Sequence, residues 1–332
     1  MGFPWFGPNV EKLRQRGDAF GLVIAMRKPD VLAEAAAALD SLGEGALQAV
    51  VAGMTDPERR GEPYDEALTR IAEHLGPPVV EPLSKVLAEG PEQAKLRALK
   101  ALGRLPDRRA LTAIRTAALG SSDWTVKREA LAALVAISGN EHIDAVLSAL
   151  SDASGLVRQD AVKLLGDLGD PSALPVLKDL RTRVGGLDLT AVSAEEAEKV
   201  VGVFGPEATL LNPQARLVLS NGLRLGLYYV TLGSMAMLGD SEALEVLLAA
   251  ARRQDSPGLV ERAVTQLGRV GGTSVLAPLA EALRNPQQGV RRSAIDALGL
   301  MKDAGARRIL ELAVESADWE DKARIQNILL KG

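Results

Sequence analysis

Cysteine is absent from the sequence, which excludes disulfide bonds and thiolate metal sites. Aromatic residues make up only 3% of the 332 residues, so alanine, leucine and valine must build most of the core. The sequence also lacks a G-x-S-x-G elbow, a phosphate-binding loop and a dinucleotide fingerprint. We therefore predict no catalytic residue and no cofactor.

Histidine occurs only twice, as His74 and His142, and each follows a glutamate. Two histidines are too few for a di-iron centre, which needs several histidine and carboxylate ligands close together. No metal site is predicted.

Strong charge of one sign and long apolar runs are also missing. The net charge of −4 argues against binding to nucleic acid through bulk charge. No uninterrupted apolar run reaches the ~18 residues of a membrane span. The first residues lack the basic and apolar regions of a signal peptide. A cytoplasmic location is therefore the expectation.

What the sequence does contain is an internal repeat with steps of 31 to 36 residues. Each copy centres on one anchor residue, which is usually alanine and is followed four positions later by an apolar residue. The anchors are Ala35, Ala67, Ala98, Ala130, Ala161, Ala197, Thr231, Ala263, Ala294 and Ile325. A period of this length indicates stacked supersecondary units.

Each unit reads as a pair of helices. Apolar residues at i, i+4 and i+7 form one helical stripe, and glycine follows the stripe at Gly169, Gly205, Gly239 and Gly271. Aspartate then begins the next helix at Asp107, Asp170, Asp240 and Asp303. Because a single pair of short helices cannot bury both stripes, stacking is required. The predicted fold is all-α, a right-handed α-solenoid of about ten helix pairs.

Two units carry a family resemblance. VRQDAVKLLGDLGDPSALPVLKDL and VRRSAIDALGLMKDAGARRILELA resemble HEAT repeats, most closely the short bacterial variety found in phycobilisome-lyase-type proteins. The resemblance implies one armadillo-like solenoid over residues 1–332. It also implies that the helix with the VR-x-x-A pattern lines the concave face. Residues 1–30 would form an N-terminal cap together with the helices at the start of the chain. Residues 181–222 would form irregular, lengthened connections within the array.

Several aromatic residues have two interpretations. Phe3, Trp5 and Phe6 are predicted to cover the open end of the first repeat, and the alternative is an anchor for a partner or a membrane surface. Trp124 and Trp319 are each preceded by Ser-x-Asp, and both are predicted to pack in the turn between helices.

The predicted concave face carries candidate partner-binding residues of mixed chemistry. They are Arg97, Lys100, Arg104, Arg128, Lys163, Arg262 and Arg269, together with Tyr228, Tyr229 and Met237. Acidic residues interleave with these bases, which suits a specific protein partner better than phosphate binding. For the two tyrosines and the methionine, burial by the preceding residues is an equal alternative.

A second set of bases stands three residues before the anchors, at Lys95, Lys127, Arg158, Arg291 and Lys322. We interpret this set as a structural ladder, in which each base meets an acid or a carbonyl group of its neighbour.

Three functions remain open. The first is a non-catalytic scaffold that binds another protein or peptide in the concave groove. The second, by resemblance alone, is a bilin lyase-like chaperone subunit. The third is a DNA-binding HEAT protein of the alkylpurine glycosylase type, with arginines as phosphate contacts. The mixed charge makes a nucleic-acid partner the weaker expectation.

Overall fold

The computed structural model describes residues 9–56, 62–185, 213–253 and 256–331, and within them every regular element is helical. The chain divides into two compact units, residues 1–148 and 149–332. The helical elements confirm the all-α prediction. The predicted boundaries at residue 30 and around residues 181–222 stay predictions.

The first unit contains the helices that begin before residue 148. Their bounds are α1 Val10–Gln15, α2 Ala19–Ala25, α3 Leu32–Asp40, α4 Leu47–Thr55, α5 Glu62–Leu75, α6 Val80–Glu89, α7 Glu92–Arg104, α8 Leu111–Gly120, α9 Trp124–Ser138 and α10 Ile143–Ala149. Helices α3, α5, α7 and α9 pack side by side as one layer, and α4, α6 and α8 form a second layer against it.

The second unit repeats the arrangement. Its helices are α11 Gly155–Leu168, α12 Leu174–Gly185, α13 Pro213–Met237, α14 Ser241–Ala251, α15 Pro257–Val270, α16 Leu276–Ala282, α17 Gln288–Leu300, α18 Ala304–Ala313 and α19 Trp319–Lys331. Here α11, α13, α15, α17 and α19 form the first layer. We call the helices of this layer, in both units, the first helices.

The repeat pattern explains the core of both units. Every anchor that the structure describes is buried, including Thr231 and Ile325; Ala197 lies outside the described residues. Four positions later, the described apolar residues from Leu39 to Leu298 are also buried, while Leu329 on the last helix is partly exposed. Small residues at the anchors allow neighbouring first helices to pack closely.

The predicted helix ends are confirmed wherever they are described. Gly169, Gly239 and Gly271 have φ of +68°, +90° and +68°, a region that favours glycine. Asp170 accepts a hydrogen bond from the Ser172 amide at 2.9 Å. Asp107, Asp240 and Asp303 cap the following helices in the same way. Gly205 lies outside the described residues.

Part of the connection predicted to be irregular is helical. Residues 181–185 complete α12, and residues 213–222 begin the 25-residue helix α13. The remaining residues, 186–212, lie outside the described part of the chain, as do Phe3, Trp5 and Phe6.

Among the described residues, the segment Trp124–Ala149 is long and apolar enough to span a membrane by length and composition. It is not one continuous α-helix. α9 ends at Ser138, Gly139 has a φ of +57°, and a 3-10 turn leads into the seven-residue α10. The 15 residues of α9 extend about 22 Å, less than the ~30 Å of a hydrocarbon core.

Candidate functional site

The first helices of the first unit form a depression of about 490 Å³ between α5, α7 and α9. We call it the first-unit groove. Its lining residues are Asp65, Glu66, Thr69, Leu99, Lys100, Gly103, Arg104, Glu129, Ala132, Ala133 and Ala136. Two of the predicted partner-binding residues, Lys100 and Arg104, therefore line one site.

The floor of the first-unit groove is made of small residues because two helices meet there. A Cβ atom placed on Gly103 of α7 would lie 3.1 Å from the Cβ of Ala133 on α9. That is closer than most Cβ contacts, so a larger residue would push the helices apart. The close approach leaves a shallow apolar floor beneath charged walls.

One wall is a fixed ion pair. Arg104 and Glu66 form two parallel hydrogen bonds of 2.8 Å, the bidentate geometry typical of guanidinium and carboxylate. The hydrogen bond from Arg104 lowers the pKa of Glu66, and the same bond raises the pKa of Arg104. Both side chains are exposed at the surface, so the pair adds little to stability. Its main effect is to fix two charged groups beside the floor.

Lys100 and Glu129 differ from this pair because neither side chain makes a hydrogen bond or ion pair with another described residue. Lys100 is exposed and close enough to Glu66 to act on it electrostatically. The first-unit groove thus offers one cation and one anion that no described residue holds in a hydrogen bond or ion pair.

Arg97 is not available to a partner, although the sequence placed it on the binding face. It is only 4% exposed and lies beneath the surface of α7. Its Nε donates to Asp65 at 2.7 Å, and its Nη1 donates to the carbonyl oxygens of Met54 and Asp56 at 3.1 and 3.0 Å. Because its donors meet a carboxylate and two carbonyl groups, Arg97 is a structural residue.

Two of the ladder bases, Arg158 and Arg291, have structural partners. Arg158 donates to the carbonyl oxygens of Asp152 and Ala153, and Arg291 donates to those of Asn285 and Pro286. In both cases the acceptors lie six and five residues earlier, in the connection before the helix. Arg291 also meets Asp318 and Asp321 of the next repeat.

In the second unit, Lys163 and Arg269 come together although they are 106 positions apart. Arg269 donates to Asp167 at 2.8 Å and makes a long contact of 3.3 Å with the carbonyl oxygen of Lys163. Glycine on the intervening helix α13 permits this approach, because a Cβ atom on Gly233 would lie 2.5 Å from Oε1 of Gln266. The ammonium group of Lys163 remains exposed.

The two tyrosines of α13 are buried to different extents. Tyr229 is only 6% exposed, so of the two alternatives for this residue the structure favours burial. Burial raises the pKa of Tyr229. Tyr228 is half-buried, packs edge-on against Tyr229 with ring centroids 5.6 Å apart, and lies near Arg181. Met237 is also half-buried. Tyr229 is therefore unsuited to direct contact with a partner.

The remaining candidate residues are dispersed. Arg128 lies over the ring of Trp124, with 5.5 Å between the guanidinium carbon and the ring centroid, a cation–π arrangement. Arg262 is half-buried on α15, close enough to Tyr229 to affect its pKa. Trp319, in contrast, is 78% exposed, so the prediction that it packs in a turn is wrong.

Sequence analysis missed a glycine that recurs five residues after the anchor. Gly103, Gly166, Gly268 and Gly299 each face a residue of the next first helix, and an added Cβ would lie within about 3 Å of that residue. The signal was present as Leu-Gly at each of these positions. Among the described residues, no group of three or more His, Cys, Asp or Glu side chains could hold a metal ion.

Comparison with known families decides what these repeats are. The family described as HEAT repeats matches residues 80–145, 116–186 and 244–328, more than half of the chain. The chain belongs to the HEAT-repeat family. The resemblance drawn from the two quoted units is thereby confirmed at the level of the HEAT repeat.

Three solved structures are similar to this HEAT-repeat chain. Human deoxyhypusine hydroxylase in complex with glycerol has 16% identity and a TM-score of 0.34, over 88% of this chain and 98% of that chain. The complex of CpcE and CpcF of phycocyanin lyase from Nostoc sp. PCC7120 has 16% identity and a TM-score of 0.41, over 86% and 93%. Kap95p, which is bound to RanGDP in its structure, has 14% identity and a TM-score of 0.41, over 99% and 52%. No curated protein matches the sequence.

Proposed function

We propose that this HEAT-repeat protein is a non-catalytic scaffold that binds a segment of another protein in the first-unit groove. The observation that carries the proposal is the pairing of an apolar floor with two oppositely charged side chains, Lys100 and Glu129, that form no hydrogen bond or ion pair with a described residue. Charged walls around an apolar centre are the usual anatomy of a protein-binding site.

The chemistry of the groove specifies the segment. The complement of the floor at Gly103, Ala132 and Ala133 is an apolar side chain, since these lining residues carry no polar side-chain group. An acidic residue of the partner would pair with Lys100, and a basic residue would pair with Glu129. Such charge complementarity would fix the register of the segment and reject segments with the opposite order of charges.

Neither other hypothesis gains support from the described residues. Arg104 and Arg269 are both held by carboxylates, which reduces the positive potential that duplex DNA requires. No described residue suggests a site for a bilin. The cytoplasmic location remains part of the proposal.

Photo-crosslinking in cells tests the scaffold directly. A photoreactive amino acid at Ala132, on the floor of the groove, is expected to crosslink one polypeptide, and mass spectrometry then identifies the captured segment. The same amino acid at Lys85 on α6, in the other helix layer, is the control and is expected to miss that polypeptide.

Charge reversal then tests the site. Lys100→Glu is expected to weaken binding of the captured segment at least about 10-fold, because one attractive pair becomes repulsive. The matched change Lys85→Glu is expected to leave the affinity unchanged. Absence of any crosslinked polypeptide at Ala132, or equal losses for the two reversals, would exclude the groove as the binding site.

A further inference from the structure

Helix α19 is covered by the described chain on one side only. It packs against α17 and α18, and its charged residues reach toward α17. Arg324 pairs with Asp296 of that helix, and Glu320 pairs with Arg292. The opposite side of α19 is exposed, and residues at spacings of four, three and four form one stripe along it. We call it the α19 stripe, and its members are Trp319, Ala323, Gln326 and Leu330.

The α19 stripe has no charge and has a large apolar side chain at each end. Trp319 is 78% exposed and Leu330 is 87% exposed, more than any other large apolar side chain that the structure describes. The exposed Lys322 and Asn327 border the stripe on its two sides. Single apolar side chains at a surface need no explanation, but two of them joined by an uncharged stripe indicate an interaction surface.

The equivalent face of the preceding first helix, α17, packs against a following helix. Gln288 of that face donates to Glu320 of α19 at 2.7 Å, and Ile295 is buried. A Cβ atom placed on Gly299 would lie 2.9 Å from Cγ2 of Ile328. These three residues of α17 stand at the same distances from their anchor as Trp319, Gln326 and Leu330 do from theirs. The α19 stripe therefore occupies the face that the repeat uses for helix packing.

Two members of the α19 stripe do not suit the stacking of a further ordinary repeat. One position after the anchor, the other described first helices have a buried apolar residue, such as Leu99 or Val264, whereas α19 has Gln326. Five positions after the anchor, α7, α11, α15 and α17 have glycine, whereas α19 has Leu330. Leucine fills the space through which the next helix approaches glycine. A partner of α19 must therefore pack in another register.

We propose that the α19 stripe binds the α19 stripe of a second copy of this chain, with the two helices antiparallel about a twofold axis. In this register Trp319 packs against Leu330 of the second copy, and Ala323 packs against Gln326, so each contact occurs twice. Lys322 lies opposite Asn327, and no like charges meet. A partner with a charged face would lose hydration without gaining an ion pair, which favours a second copy. The proposal does not depend on the scaffold function of the first-unit groove.

Sedimentation velocity of the full chain, from low micromolar to submillimolar concentration, tests the association. A helix of 13 residues is about 20 Å long, so the contact is smaller than a standard interface of ~1,600 Å² and the dimer is expected to be weak. The mass is expected to rise from 35.0 kDa toward twice that value. A monomer at every concentration would overturn the proposal. Growth beyond a dimer would also overturn it, since it would indicate head-to-tail stacking, for example on the exposed Phe20 and Ile24 of α2.

Two variants test the antiparallel register. Trp319→Lys and Leu330→Glu are each expected to weaken the dimer at least about 10-fold, because a charge then faces an apolar side chain. Both side chains are exposed in the single chain, so both variants are expected to fold.

An equimolar mixture of the two variants is expected to recover association. The introduced lysine of one copy then faces the introduced glutamate of the other, while the second contact remains that of leucine with tryptophan. The control is Leu119→Glu, at an exposed leucine of α8 in the first unit, which is expected to associate as the unmodified protein does. No recovery in the mixture, or unchanged association of both single variants, would refute the pairing.

Discussion

At the scale of single residues, arginine has two distinct roles in this protein, and burial separates them. Arg104 lies at the surface in a bidentate pair with Glu66, whereas Arg97, on the same helix, is buried against Asp65 and two carbonyl groups. A buried charge that loses its partner costs several kcal/mol, but a surface pair contributes little. The same residue type is thus part of the buried structure at one position and part of a surface ion pair at another.

Replacing Arg97 therefore tests a structural role. Arg97→Met is expected to lower the free energy of unfolding by about 3 kcal/mol, since Asp65 and two carbonyl groups lose their donor. Lys100→Met, the same type of change three residues later, is expected to alter it by less than about 0.5 kcal/mol. Urea denaturation followed by circular dichroism measures both. Similar losses for the two variants would contradict the assignment of Arg97.

Tyr64 gives the first unit a pH dependence in the alkaline range. Burial, followed by the nearby Asp56, raises the pKa of Tyr64 to about 12 from its ordinary value of 10.0. Because the pKa is higher in the folded protein, the stabilisation is complete below pH 10 and is lost as the pH rises toward 12.

Between pH 9 and pH 11, the unmodified protein is therefore expected to lose more unfolding free energy than Tyr64→Phe does. The phenol contributes only a long 3.5 Å contact to Gly53, so the variant is expected to fold. Urea denaturation at the two pH values measures the difference, and Tyr228→Phe is the control. Parallel losses in Tyr64→Phe and the unmodified protein would refute this source of pH dependence.

At the scale of helices, glycine sets the distance between neighbouring first helices. Gly268 on α15 faces Ala297 on α17, and an added Cβ atom would lie 2.5 Å from the Cβ of that alanine. Glycine within a helix usually lowers stability relative to alanine. Its recurrence five residues after the anchor shows that close packing outweighs helix propensity at these positions.

Two substitutions on α15 separate these effects. Gly268→Ala is expected to destabilise the second unit by roughly 1–3 kcal/mol, because the contact forces α15 and α17 apart. Gly258→Ala, where no atom lies within 4 Å of the added Cβ, is expected to be neutral or to stabilise by up to about 1 kcal/mol. Thermal unfolding measures both, and a stabilising Gly268→Ala would show that the helices adjust at no cost.

At the scale of the whole molecule, basic and acidic residues are nearly equal in number, and many of them form ion pairs. The net charge is −4, and many arginines on the first helices are paired with acids of adjoining repeats, as at Arg104 and Arg324. Affinity for nucleic acid depends on the number of phosphates that uncompensated cations can neutralise. Paired cations contribute little to that number.

The protein is therefore expected not to bind duplex DNA at about 0.15 M salt, where few phosphate contacts give little affinity. A gel shift repeated at lower salt checks this expectation. A complex that persists at the higher salt and weakens steeply with further salt would contradict it, and would favour the DNA-binding hypothesis instead.

The sequence by itself determined the repeat, and with it the helices, their caps and the core. Residues equivalent to Ala98 and Leu102 recur because the same two positions are buried in each repeat. Such local patterns are visible in a sequence. Asp170 and Gly169 could be assigned to a helix boundary for the same reason, since capping involves only residues near in the chain.

Only the tertiary structure decided which candidate side chains are accessible. Arg97 and Lys100 are both positively charged and both lie on α7. Contacts with residues 32 to 43 positions away bury Arg97, whereas Lys100 stays exposed. The ion pair of Arg269 also depends on a distant segment, because its partner Asp167 lies on a helix about 100 residues earlier. Burial and ion pairing depend on how distant segments meet in space, so they were settled by packing and not by any pattern along the chain.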